Sequence, residues 1–243
     1  MAKKEVKPYG QDGKSKKEEV AEMFNNISGK YDFLNHFLSL GIDKIWRKKA
    51  IGHLKEVQPK RILDIATGTG DFAIASLKLN PVEVVGVDIS SGMLEVGKQK
   101  MKTNKYDHII SMHLADSEAL PFDDNYFDGL TVGFGVRNFE NLEKGLAEML
   151  RVVRKGGKLV VLEFSKPKKF PVKQGYGFIS KYIIPFFGKY ISKDENAYAY
   201  LPESIAAFPE GKDFTIILEK LGYNRVKAYP VSGGIATIYT GIK

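Results

Sequence analysis

The sequence predicts an α/β fold: a Rossmann-like, mostly parallel seven-stranded sheet, covered by helices on both faces and finished by a C-terminal antiparallel hairpin. Three observations carry this. Apolar strand-like runs alternate with helix-period segments from Arg61 to Phe164, as in a parallel sheet whose crossovers are helices. The first run ends in Asp64-Ile65-Ala66-Thr67-Gly68-Thr69-Gly70-Asp71, a strand turning through two close glycines into a helix, which brings backbone N–H groups up to a ligand. The last two runs, Tyr223 to Pro230 and Ile235 to Ile242, are separated only by Val231 to Gly234. Gly233-Gly234 suits a hairpin turn.

Each element follows from its pattern. Residues 1 to 16 are polar and lysine-rich and read as a flexible tail. From Lys17 a helical period appears in Val20, Met23, Phe24, Ile27 and Tyr31. A second apolar stretch runs from Phe33 to Leu40 and is broken by Gly41. Asp43 is the expected N-cap of a helix through Trp46 and Leu54. Residues 17–55 thus form a helical cap ahead of a cofactor-binding core at 60–165. Within that core, strands are expected at Arg61 to Ala66, Val82 to Asp88, His108 to Leu114, Phe127 to Gly133 and Gly157 to Phe164. Helices are expected at Asp71 to Leu79, Ser91 to Met101 and around Leu142, Leu146, Met149, Leu150 and Val153. A helical insertion at 168–210 precedes a helix carrying Phe214, Ile217, Leu218 and Leu221, which with the hairpin completes a C-terminal unit at 211–243. The whole reads as one domain. A parallel sheet closed by such a hairpin is the usual architecture of class I methyltransferases.

Composition narrows the class. A chain of 243 residues with 43% hydrophobic content suits one α/β domain with a real core. The net charge is +8 and the pI about 9.3, but the lysines gather in the tail and around Lys166, Lys168 and Lys169 rather than in one array. Nucleic acid is therefore not an expected partner. The absence of cysteine removes disulfides and zinc-finger spacing, and no His, Asp and Glu cluster has metal-ligand spacing, so no metal is expected. No apolar run reaches the roughly 20 residues of a membrane span and no secretory signal is visible. A cytoplasmic protein, soluble or peripheral on the membrane, is the expectation.

The turn selects the cofactor. A dinucleotide fingerprint needs Gly-x-Gly-x-x-Gly. Here Gly68 and Gly70 fill the first two positions and Ala73 the third. Asp64 and Asp71 flank the glycines, and two carboxylates would repel a pyrophosphate. They suit a cofactor with ammonium and sulfonium groups and no phosphate, which describes S-adenosylmethionine. Asp88, ending the next strand, lies where a ribose would sit. The alternative is a bare tight turn. The aromatic segment Phe170 to Tyr190 stands apart: it either lines an apolar pocket or rests on a membrane surface, or else packs as a core or homodimer helix.

Four segments carry a family resemblance. Tyr31-Asp32-Phe33-Leu34-Asn35 with Leu38-Ser39-Leu40-Gly41 and Trp46-Arg47 resembles the N-terminal signature of the demethylmenaquinone/ubiquinone C-methyltransferase family. Arg151 to Gly157, continuing to Leu162-Glu163-Phe164-Ser165-Lys166-Pro167, resembles its second signature. Phe134-Gly135-Val136-Arg137-Asn138 and Ala197 to Ile205 also resemble family segments. The resemblance implies methyl transfer from S-adenosylmethionine to a ring carbon of a polyprenylated quinol, demethylmenaquinol above all, with ubiquinone synthesis as the alternative. It further implies cofactor contacts from Thr69, Asp88, Asp116 and Ser117. Where relatives often carry serine this chain has Gly133, which offers only backbone to the cofactor.

The implied chemistry needs a quinolate, whose formation at pH 7 costs roughly 4 kcal/mol for a phenol of pKa about 10. A fixed cation lowers that cost. Arg137 is the candidate, with Asn138 beside it; a structural ion pair is its other reading. Tyr31, Asp32, Asn35 and His36 sit in the cap, either closing over the quinol or packing the cap. His53, His108 and His113 read as structural. The rivals are a nicotinamide-dependent oxidoreductase, a non-catalytic scaffold with this fold, and an RNA methyltransferase.

Overall fold

The computed structural model describes residues 6–31, 41–168, 170–178 and 195–243. Its seven strands are β1 (Arg61–Ile65), β2 (Glu83–Asp88), β3 (Ile110–Leu114), β4 (Phe127–Gly133), β5 (Val153–Phe164), β6 (Asn224–Val231) and β7 (Ala236–Ile242). They form one sheet in the order β3-β2-β1-β4-β5-β7-β6. The first five are parallel, and β7 runs antiparallel to both β5 and β6. The expected sheet and hairpin are therefore present. Gly233 and Gly234 turn the hairpin at φ 68° and 94°, values an L side chain rarely adopts.

Period-two alternation along each strand splits the core into two layers. Leu63, Ile65, Val85, Val87, Leu130 and Val132 face α5 (Leu142–Val152) and α8 (Lys212–Leu221). Ile62 and Val84 face α3 (Asp71–Ser76) and α4 (Ser91–Thr103), while Val160, Leu162 and Ile238 face α2 (Ile42–Gly52). At the C-terminal end of the core, Phe214 packs edge-on to Tyr239 at 4.7 Å. The Tyr239 hydroxyl accepts from Gly211 N at 2.8 Å, which satisfies one orphan donor at the start of α8. The edge strand β6 is mostly exposed and carries Pro230, a residue that blunts further strand pairing.

The N-terminus departs from expectation. Within the expected flexible tail, residues 6–15 are ordered. Glu19 of α1 (Lys16–Ile27) is fully buried and accepts from the backbone N–H groups of Tyr9, Gly10 and Gln11 at 2.7–2.8 Å. Ser15 caps α1, forming a reciprocal box with Glu18. Asp43 is not a cap either. Gly41, at φ 74°, precedes α2, and Asp43 pairs with Arg47 one turn on. Two further helices, α6 (Val172–Phe178) and α7 (Glu195–Ala207), fall in the expected insertion.

In this strand order the chain reverses direction across the sheet between β1 and β4. Open α/β sheets place ligands at the carboxyl ends of strands at such a switch point. α1 lies over these ends and ties itself to the start of α4: Asn25 Oδ1 accepts from Ser90 Oγ and from Gly92 N, both at 2.8 Å.

Candidate active site

The glycine turn is built by a carboxylate under it. Asp64 is fully buried and accepts from Thr67 Oγ1 at 2.6 Å and Thr131 Oγ1 at 2.7 Å. Burial pushes its carboxyl up to about 6, against the two hydroxyls that lower it. The turn then closes with Gly70 N donating to Thr67 O at 2.9 Å. Gly68 stands at φ 58°, and a Cβ there would meet nothing within 4 Å. This is an open cradle in which a ligand can approach the backbone closely. Gly70 serves packing instead: at φ 86°, a Cβ would lie 2.4 Å from Met101 Cε.

Asp88 anchors the other side. Its Oδ2 accepts from Gly68 N and its Oδ1 from Ser90 N, both at 2.8 Å. Each oxygen keeps lone-pair capacity, which is the acceptor set a vicinal diol needs. Burial raises this carboxyl above its ordinary value, opposed by the backbone donors.

Gly68 and Asp88 line a pocket that opens to solvent. Tyr31, Asp116, Ser117, Gly133 and Asn138 also line it. Its charged lining consists of Lys17 and the carboxylates Asp88, Asp116, Glu118 and Glu140. Lys17 Nζ lies 2.7 Å from Asp116, 3.8 Å from Glu140 and 3.9 Å from Glu118. Burial works to raise Asp116, but Lys17 and the Glu118 N–H outweigh it and hold the carboxyl below its ordinary value. Four acids against one lysine repel phosphate and favour a cation. The donor set thus fits S-adenosylmethionine.

Two expected carboxylates do not supply that preference. Asp64 works beneath the turn and is absent from the pocket lining. Asp71 is neutralised by Lys100 at 2.8 Å and Arg47 at 3.5 Å. Thr69, expected on the cofactor, is 2% exposed, lies outside the lining and accepts from Lys100 Nζ at 3.3 Å. Spacing alone did not reveal that Glu118, Glu140 and Lys17 supply the charge, because they come together only through the fold.

A second cluster adjoins the pocket at the ends of β4 and β5. Gly135 passes so close to the glycine turn that a Cβ would sit 2.5 Å from Ala66 Cβ. A single 3-10 turn, Val136–Asn138, follows. Arg137 NH1 donates to Glu163 Oε1 at 2.8 Å and to Phe134 O. Its guanidinium lies 5.6 Å from the Phe164 ring centre. Phe164 in turn stacks on Phe134 at 4.4 Å, and Trp46 packs against both rings. Arg137 Nε and Asn138 Oδ1 are buried and have no hydrogen-bond partner among the described residues. Buried polar atoms are normally satisfied, so an unspent donor and an unspent acceptor on adjacent residues mark a candidate ligand site; Asn138 lines the pocket, and Arg137 is not among its lining residues. Tyr31 is near this cluster, and burial raises its phenol. Asp32, Asn35 and His36 lie outside the described residues.

Glu163 carries a signal in the sequence. A glutamate following Val160-Val161-Leu162 in a central strand is a buried charge that needs a partner.

Known structures share the fold. An S-adenosylmethionine-dependent methyltransferase from Thermotoga maritima superposes with a TM-score of 0.62 at 18% identity, covering 91% of this chain and 99% of that one. The fold is the seven-stranded sheet of the class I methyltransferases. A protein called demethylmenaquinone methyltransferase in Bacteroides fragilis is 50% identical over 239 residues, 98% of this chain and 97% of its own length. A ubiquinone/menaquinone biosynthesis C-methyltransferase UbiE from Geotalea uraniireducens is 41% identical over 230 residues, 94% of this chain and 97% of its own. The model of the ubiE/COQ5 methyltransferase family matches residues 12–243. The chain belongs to that family.

Proposed function

We propose that this enzyme methylates a ring carbon of a polyprenylated quinol, converting demethylmenaquinol to menaquinol in menaquinone biosynthesis. The reading rests on the relatives' names and on one observation: the unspent Arg137 Nε–H and Asn138 Oδ1 beside an acidic cofactor pocket. Asp88 would hold the ribose hydroxyls and Gly68 would allow close approach to the backbone; Asp116 and Ser117 would face the adenine once Lys17 yields. S-adenosylmethionine, when bound, supplies an electrophilic methyl group. Arg137 offers a buried N–H to the acceptor's ring oxygen, which favours its anionic form and makes the adjacent carbon nucleophilic. Arginine stays protonated at working pH, so it stabilises the oxyanion rather than removing the proton. Asn138 Oδ1 accepts from a second hydroxyl of the ring. Tyr31 and the Trp46-Phe134-Phe164 aromatics exclude water.

The test is a mass-spectrometric assay with S-adenosylmethionine and either chemically reduced or unreduced demethylmenaquinone. A gain of one CH₂ confined to the reduced sample is expected. Equal product from both samples, or from neither, would overturn the reading.

A polyprenyl tail demands access to a bilayer, and no helix among the described residues is long and apolar enough to cross one. We infer peripheral contact on the inner face through residues 170–190. Phe170 is 81% exposed, and Lys166, Lys168 and Lys173 around it are exposed too. Phe170→Ser is expected to weaken flotation with anionic vesicles; unchanged flotation would remove the segment from the contact.

A further inference from the structure

We propose that Glu163 is a positioning residue for Arg137: it grips that arginine at both side chain and backbone, so that the Nε–H stays unspent and fixed for the acceptor's oxygen. The inference rests on the quinol reading above. Glu163 lies at the end of β5, fully buried, opposite Thr237 of β7. Its Oε1 takes Arg137 NH1 at 2.8 Å and Phe164 N at 2.9 Å; its Oε2 takes Arg137 N at 3.4 Å. A single carboxylate thus chelates one residue at two points and is itself tied to the strand. Phe134 O also accepts from NH1. With NH1 spent twice, rotation of the guanidinium would break both bonds, and Nε is left as a buried donor without a partner among the described residues.

Stability does not account for a carboxylate here. A buried ion pair rarely outperforms apolar side chains of the same volume, because desolvation of both charges offsets their attraction. The flanking positions Val161, Leu162 and Phe164 show what this strand otherwise holds. What the pair adds is a fixed direction, and misplacing a catalytic group by about 1 Å can cost roughly 10²-fold in rate.

The test is a cycle of Glu163→Gln, Arg137→Lys and the double variant, assayed on chemically reduced demethylmenaquinone. Glutamine keeps the volume, and S-adenosylhomocysteine affinity by calorimetry serves as the control that the fold is retained. Glu163→Gln is expected to lower kcat by roughly tenfold or more with the acceptor KM unchanged. The double variant is expected to be no slower than Arg137→Lys, because residues acting as one unit are not additive. A wild-type kcat in Glu163→Gln, or losses that multiply, would overturn the proposal. A readout without acceptor is the Arg137 Nε–H resonance, assigned by its loss in Arg137→Lys. It should be sharp in the wild type and broadened in Glu163→Gln. If the wild type leaves demethylmenaquinol untouched, the substrate reading fails, and this resonance alone then decides: broadening supports Glu163 as the clamp, and an unchanged signal refutes it.

Discussion

The two ends of the sheet treat the carboxylates borne on the strands themselves in opposite ways. At the amino ends of the strands, Asp128 accepts from Lys60 N at 2.7 Å, Arg61 N at 2.8 Å and Arg154 Nε. Burial works to raise it, but these donors outweigh burial and hold the carboxyl below its ordinary value. Glu56 nearby is lowered chiefly by its hydrogen bond to Lys158 at 2.6 Å. At the carboxyl ends, Asp64, Asp88 and Glu163 are all raised, with burial the largest cause in each. One end therefore spends its charges on holding strands in register. The other keeps carboxylates where water would serve them better, the mark of a candidate ligand site.

The largest test of this contrast is Arg137→Ala. It leaves Glu163 buried and unpaired, so stability should fall by about 3–5 kcal/mol in denaturant unfolding. A loss below about 1 kcal/mol would mean that the pair is solvated and that this end of the sheet is not special.

Asp64 gives the next largest effect and a pH signature. Its folded carboxyl titrates at about 6, above the ordinary 3.8. The folded state therefore holds the proton more tightly than the unfolded state, and stability declines as pH rises through this window. Two units correspond to about 3 kcal/mol. The melting temperature of Asp64→Asn relative to wild type should climb between pH 4 and 7. Asp128, being lowered, has the opposite sign: its contribution is present above 3.8 and is lost as pH falls through its folded pKa. Parallel pH profiles for Asp64→Asn and Asp128→Asn would break the comparison.

Asp88→Ala should raise the dissociation constant of S-adenosylhomocysteine by about 10²-fold in calorimetry, from the loss of charged hydrogen bonds to a diol. Asp128→Asn should do the reverse, costing about 1–2 kcal/mol of stability while leaving that affinity unchanged. A cofactor effect from Asp128→Asn would show that the two ends are coupled.

Smallest of all is Gly133→Ser. A Cβ there would lie 2.8 Å from Phe72 Cδ1, and overpacking of that kind costs about 1 kcal/mol or more. Phe72→Leu should relieve it. Failure of that rescue would place the strain elsewhere on the ligand end.

Much of this was legible in the chain itself. Period-two runs, helical periods and the Gly-Gly hairpin determined the sheet, its helices and its antiparallel close, because each depends on residues a few positions apart. The turn at Gly68 and the acid at Asp88 were legible for the same reason. The boundaries moved where tertiary contacts extend or cut an element: β5 begins at Val153 rather than Gly157, pairing with Phe127, and the N-terminal coil is ordered because Glu19 gathers its backbone donors.

The site was decided only by the tertiary structure. Asp64 looked like a cofactor ligand by spacing, and the strand's alternation turned it beneath the turn toward Thr131, on a neighbouring strand. Lys17 and Asp116 meet across 99 positions of sequence, and Arg137 meets Glu163 across two strand ends. Hydrophobic periodicity is a local property and survives in the sequence. The partner of a charge is a property of where distant segments land, and only the packed sheet settles it.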